Sequence, residues 1–155
     1  MQFRDLDVLV ELGLLERKPA DPRRVRRWLE RSQSDLALAR DVVGRVDRDR
    51  AMAIAYEAGF RACAGVLLLT GYRLTSQPGH HRAAIEGAAA VLGEEVRPLL
   101  RRVDAARQFR NEILYGDAPP ASESQLAMFI GDVGNLLGRL ARVLEGDTNQ
   151  GHTND

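Results

Sequence analysis

Hydrophobic residues along this chain recur at spacings of three and four, which is the period of a helix with one buried face. The first long repeat follows Asp21, a good N-cap residue, and Pro22, which suits the first helical position. The face that should be buried comprises Val25, Trp28, Leu29, Ser32, Leu36, Ala39, Val43 and Val46. We therefore predict a long amphipathic helix that begins at Asp21.

The same period continues through the middle of the chain. A second helix should run from Asp49 to Gly71, where glycine is a stop signal. The loop predicted from Tyr72 to Gly79 separates it from a shorter helix ending near Gly93, and a long helix should start near Glu94. The expected buried face of the second helix comprises Met52, Tyr56, Phe60, Cys63 and Leu67.

The last predicted helix has the most regular pattern. Ser122 can cap its start, and the helix should extend to about Glu145. Its apolar positions repeat almost as a heptad, namely Leu126, Phe129, Ile130, Val133, Leu136, Leu137, Leu140, Val143 and Leu144. Gly131, Gly134 and Gly138 each cost about 1 kcal/mol relative to alanine. We therefore expect a close helix contact at these glycines, either within the bundle or across a dimer.

These elements predict an all-α protein, an antiparallel four-helix bundle with a small extra N-terminal helix. Residues 1–20 would form a short helical extension, with its helix between Phe3 and Leu15. Residues 21–146 would form the bundle, and 147–155 a disordered tail, because that tail lacks apolar anchors. The sequence has neither an alternating strand pattern nor an uninterrupted apolar stretch of membrane-spanning length, so we expect a soluble, cytoplasmic protein.

Composition and charge limit the classes of function. Of 155 residues, 45% are hydrophobic but only 5% are aromatic, which favours helices packed through small and aliphatic side chains. Lys+Arg and Asp+Glu both number 22, so a nucleic-acid binder of this composition would need a local basic site. The single cysteine, Cys63, excludes an intrachain disulfide, and we expect it to be a buried packing residue rather than a nucleophile.

The histidines do not form a recognisable metal-binding motif. His80 and His81 are adjacent, so on a helix their side chains diverge by about 100°, and His152 lies in the predicted tail. No spacing in the sequence resembles a zinc or iron site. We therefore expect neither a metal ion nor a cofactor.

Several charged residues are spaced for simple surface ion pairs. Glu57 and Arg61 lie four apart, and Asp104 and Arg107 lie three apart. Arg102 belongs to an arginine pair that either forms a solvated face or contacts phosphate.

One arginine interrupts an apolar face. The face of the long helix that should be buried comprises Val96, Leu99, Val103, Ala106, Ile113 and Leu114. Arg110 falls in the middle of it, roughly 20° from Val103 at about 100° per residue. Because an unpaired buried charge is costly, Arg110 needs a charged partner, a water-filled cleft or a second copy of the chain beside it.

A polar ridge borders this arginine. Arg107, Asn111 and Tyr115 are spaced by four, so they line one flank of the apolar stripe. Two guanidinium groups, an amide and a phenol near one helix C-terminus could receive a phosphate or the polar edge of a nucleotide. The alternative is that Arg110 caps carbonyl groups of a neighbouring helix or pairs with a core acid.

The segment "RRVDAARQFRNEILYGD" resembles the signature helix of HEPN domains, small helical bundles named for nucleotide binding in prokaryotes and higher eukaryotes. Their hallmark is an arginine, usually followed by Asn or another polar residue, and then a histidine four to six residues on. Arg110-Asn111 matches the start of this motif. The preceding "AYEAGFRACAGVLLLTGYRLTSQPGHHRAAIEGAAAVLG" also resembles the middle of these proteins, so the resemblance covers roughly Asp21 to Glu145.

The resemblance implies a homodimer whose signature helices face each other across a cleft and form a metal-independent ribonuclease site. Many members are toxins paired with a small nucleotidyltransferase antitoxin, others act in phage defence, and some have lost catalysis. By this resemblance Arg110 would orient and stabilise the scissile phosphate. Asn111 would bind the same group or hold Arg110, and Glu57 would fix the arginine.

The chain departs from the HEPN motif at one position, because Tyr115 stands where the histidine is usual. A tyrosine, with a reference pKa near 10, is a poor base at pH 7, although it can donate a hydrogen bond or stack on a base. The candidate catalytic residues are Arg110, Asn111 and Tyr115, and the candidate RNA- or nucleotide-binding residues are Arg107, Glu57 and Arg102.

Three functions are therefore open from the sequence. The first is a HEPN-type component of a toxin-antitoxin or defence module that binds RNA or nucleotide in a dimer cleft and cleaves RNA without metal. The second is a catalytically inactive interaction module that binds a nucleotidyltransferase partner. The third is a helical bundle in which Arg110 is only structural.

Overall fold

A computed structural model describes residues 1–115 and 119–152, with the side chains of all of these except 113–115 and 147–152. The described residues form six α-helices and one two-stranded antiparallel ribbon. The elements are α1 (Leu6–Glu11), β1 (Leu15–Arg17), α2 (Pro22–Asp41), α3 (Arg48–Leu69), β2 (Tyr72–Leu74), α4 (His80–Leu92), α5 (Arg97–Tyr115) and α6 (Glu123–His152). The protein is thus mainly α-helical, as the periodicity predicts.

Helix α3 lies at the centre of the fold and packs against α2, α4, α5 and α6. Its small residues make close packing possible. A side chain at Gly65 would place its Cβ 3.2 Å from Leu140 of α6, and one at Gly59 would place it 3.4 Å from Val133. Because α3 has neighbours on nearly every side, most of its apolar residues are buried in one continuous core.

The predicted helix starts are confirmed by their caps. The side chain of Asp21 accepts a hydrogen bond from the backbone N–H of Arg24 at 3.2 Å, with Pro22 in the first helical position. Ser122 and Gln125 form a reciprocal capping box at the start of α6, with N···O distances of 3.1 and 2.8 Å. N-cap residues in the sequence therefore correctly locate the starts of α2 and α6.

The N-terminal segment differs from its prediction. The helix is limited to α1, shorter than Phe3 to Leu15, because Gly13 adopts a left-handed backbone with φ of 74°. The chain then forms β1, which pairs with β2 so that Leu15 lies opposite Leu74. The loop predicted from Tyr72 to Gly79 therefore begins with a strand. Three residues are too few for an alternating pattern to be visible in sequence.

Residues of the N-terminal segment pack against α3 and α4. Leu9 is fully buried, and it lies in a small second cluster with Leu14, Leu15, Leu67 and Ala83. This cluster joins α1 and β1 to α3 and α4, so the N-terminal segment is part of the same packed unit.

A buried carboxylate attaches the N-terminal segment of the chain to α4. Glu86 is completely buried, and its two oxygens accept hydrogen bonds from the backbone N–H, Nε and Nη2 of Arg4 at 2.8, 2.8 and 2.7 Å. Arg82 also pairs with it, at 3.0 Å. A buried charge of this kind is tolerated only when its partners are in place.

Two helix ends lie away from their predicted positions. Helix α2 stops at Asp41, and a short 3-10 turn follows at Val43–Arg45, so Val46 is 88% exposed instead of buried. The backbone of α6 is helical to His152, beyond the end expected near Glu145 and through most of the expected tail. No proline interrupts the α6 hydrogen-bond ladder after Glu145.

Among the described residues, two of the three glycines singled out in α6, Gly131 and Gly138, make no close contact. A Cβ at Gly131 or Gly138 would meet nothing within 4 Å, and one at Gly134 would make an ordinary contact of 3.7 Å with Leu36. The expected close helix contact within the bundle is therefore absent at Gly131 and Gly138. Contact across a dimer stays a prediction.

Helix α3 is also long and apolar enough to span a membrane by composition alone, the one such helix among the described residues. However, 67% of its most apolar window is buried inside the protein. The packing of α3 against four other helices accounts for this hydropathy.

We predict that Arg4→Ala destabilises the protein by about 2–3 kcal/mol, because it removes the Nε and Nη2 hydrogen bonds to a buried carboxylate and leaves it only the backbone N–H of residue 4 and Arg82. Urea denaturation followed by circular dichroism measures this change. The matched control is Arg17→Ala, in the same segment, whose ion pair with Asp7 is exposed on both sides. It should change the free energy of unfolding by about 0.5 kcal/mol or less. Equal effects of the two substitutions would contradict the anchoring role of Glu86.

Candidate functional site

Arg110 lies at a partly open surface and not in the core. Its side chain is 36% exposed, and its Nη1 forms an ion pair of 2.9 Å with Oε1 of Glu57 on α3. Glu57 is itself 43% exposed, so this carboxylate is not a core acid. The expected pair of Glu57 with Arg61 is wrong, because Arg61 donates instead to Asp35 and Ser32 of α2 at 3.1 and 3.0 Å.

A buried tyrosine lies beneath the guanidinium group. The central carbon of Arg110 is 5.7 Å from the centre of the Tyr56 ring, within the range of a cation–π contact. Tyr56 is only 1% exposed, and burial raises the pKa of its phenol well above the usual value. The phenol is therefore neutral at physiological pH and can act as a hydrogen-bond donor or acceptor.

The phenol leads to a histidine at the start of α4. Tyr56 Oη and His81 Nδ1 are 3.0 Å apart, and the His81 ring stacks on Phe60 with the ring centres 4.4 Å apart. Desolvation lowers the pKa of the imidazole, and the charges of Arg107 and Arg110 lower it further, while Glu57 acts in the opposite direction. His81 is therefore neutral at pH 7 and lies in the electrostatic range of both arginines.

The adjacent histidine has a different environment. Nδ1 of His80 donates to the backbone carbonyl of Gln77 at 2.9 Å, which fixes the turn before α4. The two imidazole rings are 4.5 Å apart. Among the residues that the structure describes, no three His, Cys, Asp or Glu side chains are grouped as they would be around a metal ion. The side chain of His152 lies outside the described residues.

Arg107 is held on the same flank of α5. Its Nε is 3.2 Å from Oδ1 of Asp104, so the pair expected from their spacing is confirmed. Asp104 is only 8% exposed, whereas the Arg107 side chain is 28% exposed. The carboxylate thus orients a guanidinium group that still reaches solvent.

The other candidate residues are less closely associated with Arg110. Asn111, which follows Arg110 in α5, is exposed to solvent. Tyr115 is the last residue of the α5 helix, and its side chain lies outside the described residues. Arg102 forms a bidentate ion pair with Asp132 of α6, with Nε–Oδ2 and Nη2–Oδ1 distances of 2.7 and 2.9 Å. Its guanidinium group is therefore engaged by a carboxylate away from the Glu57 pair.

A groove of about 420 Å³ adjoins Arg110 on the side towards the start of α3. Its lining combines apolar side chains with both signs of charge, and it comprises Asp47, Asp49, Arg50, Met52, Ala53, Ala106, Phe109 and Arg110. Arg110 therefore separates this groove from the cluster of Tyr56, Glu57 and His81. We call these four residues the Arg110 cluster.

Cys63 lies in the core below this surface. It is fully buried, and burial raises the pKa of its thiol to about 12. The thiolate is therefore negligible at neutral pH, and Cys63 has a packing role, as expected from the sequence.

No family model, curated protein or solved structure matches this chain. The site must be interpreted from its own geometry. That geometry brings Arg110 and Glu57 together and places Tyr56 and His81 beside them. The sequence offered a weak signal for these two residues, since Tyr56 precedes Glu57 and His81 lies in a histidine pair, but their proximity depends on how α3 and α4 pack.

The electrostatics of the cluster give a testable pKa for His81. We predict an imidazole pKa below 6.5 in an NMR titration, because burial and nearby positive charge both disfavour the imidazolium. Glu57→Gln should lower this pKa further, since it removes a favourable negative charge, and Arg107→Ala should raise it. A pKa at or above 6.5 that neither substitution moves would show that His81 is not coupled to these residues.

Proposed function

We propose that this protein is a HEPN-type helical bundle that binds RNA through the guanidinium group of Arg110 and cleaves it without a metal ion. The observation that carries the proposal is that Arg110 is partly exposed and oriented by Glu57 at an open surface. This is the disposition of a binding arginine rather than of a buried core residue.

The guanidinium group retains binding capacity. Glu57 engages Nη1, whereas a guanidinium has five N–H donors in a planar fork that matches two oxygens of a phosphate. The Tyr56 ring also contacts the group, with the guanidinium carbon 5.7 Å from the ring centre. A phosphate approaching from solvent would therefore meet donors that are already oriented, which reduces the entropic cost of binding.

Neighbouring groups suit a polynucleotide better than an isolated anion. Arg107 adds a second oriented positive charge on the same helix, and Asn111 adds an exposed amide. The adjoining groove contains Met52 and Phe109, which offer apolar contact area to a nucleobase or ribose. Phosphate contacts and base contacts would then lie side by side.

The proposal includes the antiparallel four-helix arrangement and the homodimer of HEPN proteins. The packing of α3 against α2, α5 and α6, and of α2 against α6, supports the arrangement. In the dimer, the Arg110 surfaces of two protomers would face each other across a cleft, and the protein would act in the cytoplasm within a toxin-antitoxin or defence module. Asn111, Tyr115, Glu57 and Arg102 keep the binding or catalytic roles expected from the sequence.

A second candidate function is an inactive module that binds a nucleotidyltransferase partner. The observation that favours it is the tyrosine at position 115, in place of the usual histidine. Co-purification with the product of a neighbouring nucleotidyltransferase gene, without RNA cleavage by either protein alone, would support this function.

The proposed RNA binding is tested with Arg110→Ala. We expect affinity for a fluorescent single-stranded oligoribonucleotide to fall about tenfold to a hundredfold, because a charged hydrogen-bond donor to phosphate is lost. The salt dependence of binding should become shallower, since one phosphate contact fewer releases fewer counterions. Fluorescence anisotropy at several salt concentrations measures both effects.

Two controls separate binding from folding. Arg40→Ala removes the same charge from an exposed ion pair on α2 and should leave affinity nearly unchanged. Arg110→Ala itself should alter the free energy of unfolding by less than about 1 kcal/mol, because the lost pair is exposed on both sides. Unchanged RNA binding together with a large loss of stability would show that Arg110 is structural, and the proposal would fail.

A further inference from the structure

We infer that His81 is the proton acceptor of this site, so that α4 supplies the imidazole that α5 lacks, and that Tyr56 is its positioning residue. The inference rests on the proposed RNA-cleaving function. It follows from a chain of contacts that links Arg110 to Tyr56 and Tyr56 to His81.

Tyr56 lies next to both the guanidinium group of Arg110 and the imidazole of His81. The guanidinium carbon of Arg110 lies 5.7 Å from the centre of the Tyr56 ring, and the centre of the His81 ring lies 6.3 Å from the same point. Tyr56 therefore contacts both the guanidinium group of Arg110 and the imidazole of His81. The inference requires a ribose and its 3′ phosphate to span the guanidinium group and the imidazole.

The position of the imidazole is fixed by its neighbours. Phe60 stacks on the His81 ring at 4.4 Å, and Tyr56 Oη lies 3.0 Å from Nδ1. When Nδ1–H donates to Tyr56 Oη, the lone pair of the imidazole is on Nε2, which forms no hydrogen bond with a described residue. Since the His81 side chain is only half-buried, Nε2 can meet a substrate from solvent.

Burial, together with the neighbouring His80, lowers the pKa of His81 and keeps the imidazole in its basic form. The titratable and charged groups that face His81 are Tyr56 and Glu57 on α3, His80 on α4, and Arg107 and Arg110 on α5. Burial is the largest influence on the His81 pKa and lowers it, and the two arginines act in the same direction. At neutral pH the imidazole is therefore unprotonated and able to accept a proton.

The proposed reaction balances without a metal ion or cofactor. Nε2 of His81 takes the proton of a ribose 2′-hydroxyl, and the 2′ oxygen forms a bond to the adjacent phosphorus while the bond from phosphorus to the 5′ oxygen breaks. The leaving 5′ oxygen takes a proton from water, and the imidazolium returns its proton to solvent. Arg110 stabilises the charge on the phosphoryl oxygens. The products are a 2′,3′-cyclic phosphate and a 5′-hydroxyl.

The test compares His81→Ala with His80→Ala, its neighbour, on an oligoribonucleotide in the presence of EDTA. His81→Ala should lower kcat by about 10²–10⁴-fold with little change in RNA affinity, because a general base acts in the transition state. His80→Ala should stay within about threefold of wild type. The wild type should leave an all-2′-deoxy oligonucleotide of the same sequence uncut, since that chain lacks the attacking hydroxyl.

Two further measurements do not depend on the folding of His81→Ala. In the wild type, the ascending limb of the pH profile of kcat/KM should match the His81 pKa found by NMR, and Tyr56→Phe should move both together. Binding of the uncut 2′-deoxy oligonucleotide should raise the His81 pKa, because a phosphate charge then lies beside the imidazole.

The outcomes distinguish a failure of the proposed role of His81 from a failure of the proposed RNA-binding and RNA-cleaving function. Full activity of His81→Ala, or a His81 pKa unaffected by the bound oligonucleotide, would overturn the role of His81 while RNA binding at Arg110 still stands. Arg110-dependent binding with no cleavage by the wild type would also overturn it. A wild type that neither binds nor cleaves RNA would overturn the proposed function, and with it this inference.

Discussion

The close packing of α3 against four other helices is the constraint on which the rest of this structure depends. Glycine and alanine residues on α3 let Val133 and Leu140 of α6 approach closely, so most of the helix is buried. Polar side chains of α3 must therefore emerge at the few places where its neighbours leave a gap. Glu57 emerges at such a gap, and it meets Arg110 there.

The same packing explains why Tyr56 contacts both Arg110 and His81. Tyr56 is buried by the core, so its ring forms a rigid support for Arg110, while its hydroxyl still needs a partner, which is His81. The buried Glu86 illustrates the opposite use of charge. Its contacts with Arg4 attach the N-terminal segment to the middle of α4. The carboxylate of the Arg4–Glu86 pair is thus fully buried, whereas both members of the Arg110–Glu57 pair reach solvent.

Sequence reasoning predicted the helices well, because caps and apolar periodicity are local properties, as at Asp21 and Ser122. It missed the β1–β2 ribbon, since strands of three residues carry no pattern, and it paired Glu57 with Arg61 because it considered only the same helix. The proximity of Tyr56, His81 and Arg110 depends on the packing of three helices. No spacing along the chain could reveal it.

The most direct test of this account is a crystal structure of the protein with a short 2′-deoxy oligonucleotide, which should bind without being cut. The account predicts a phosphate oxygen within hydrogen-bond distance of the Arg110 guanidinium and the His81 imidazole directed at the 2′ position of the adjacent sugar. An oligonucleotide bound elsewhere, with Arg110 still engaged only by Glu57, would contradict it.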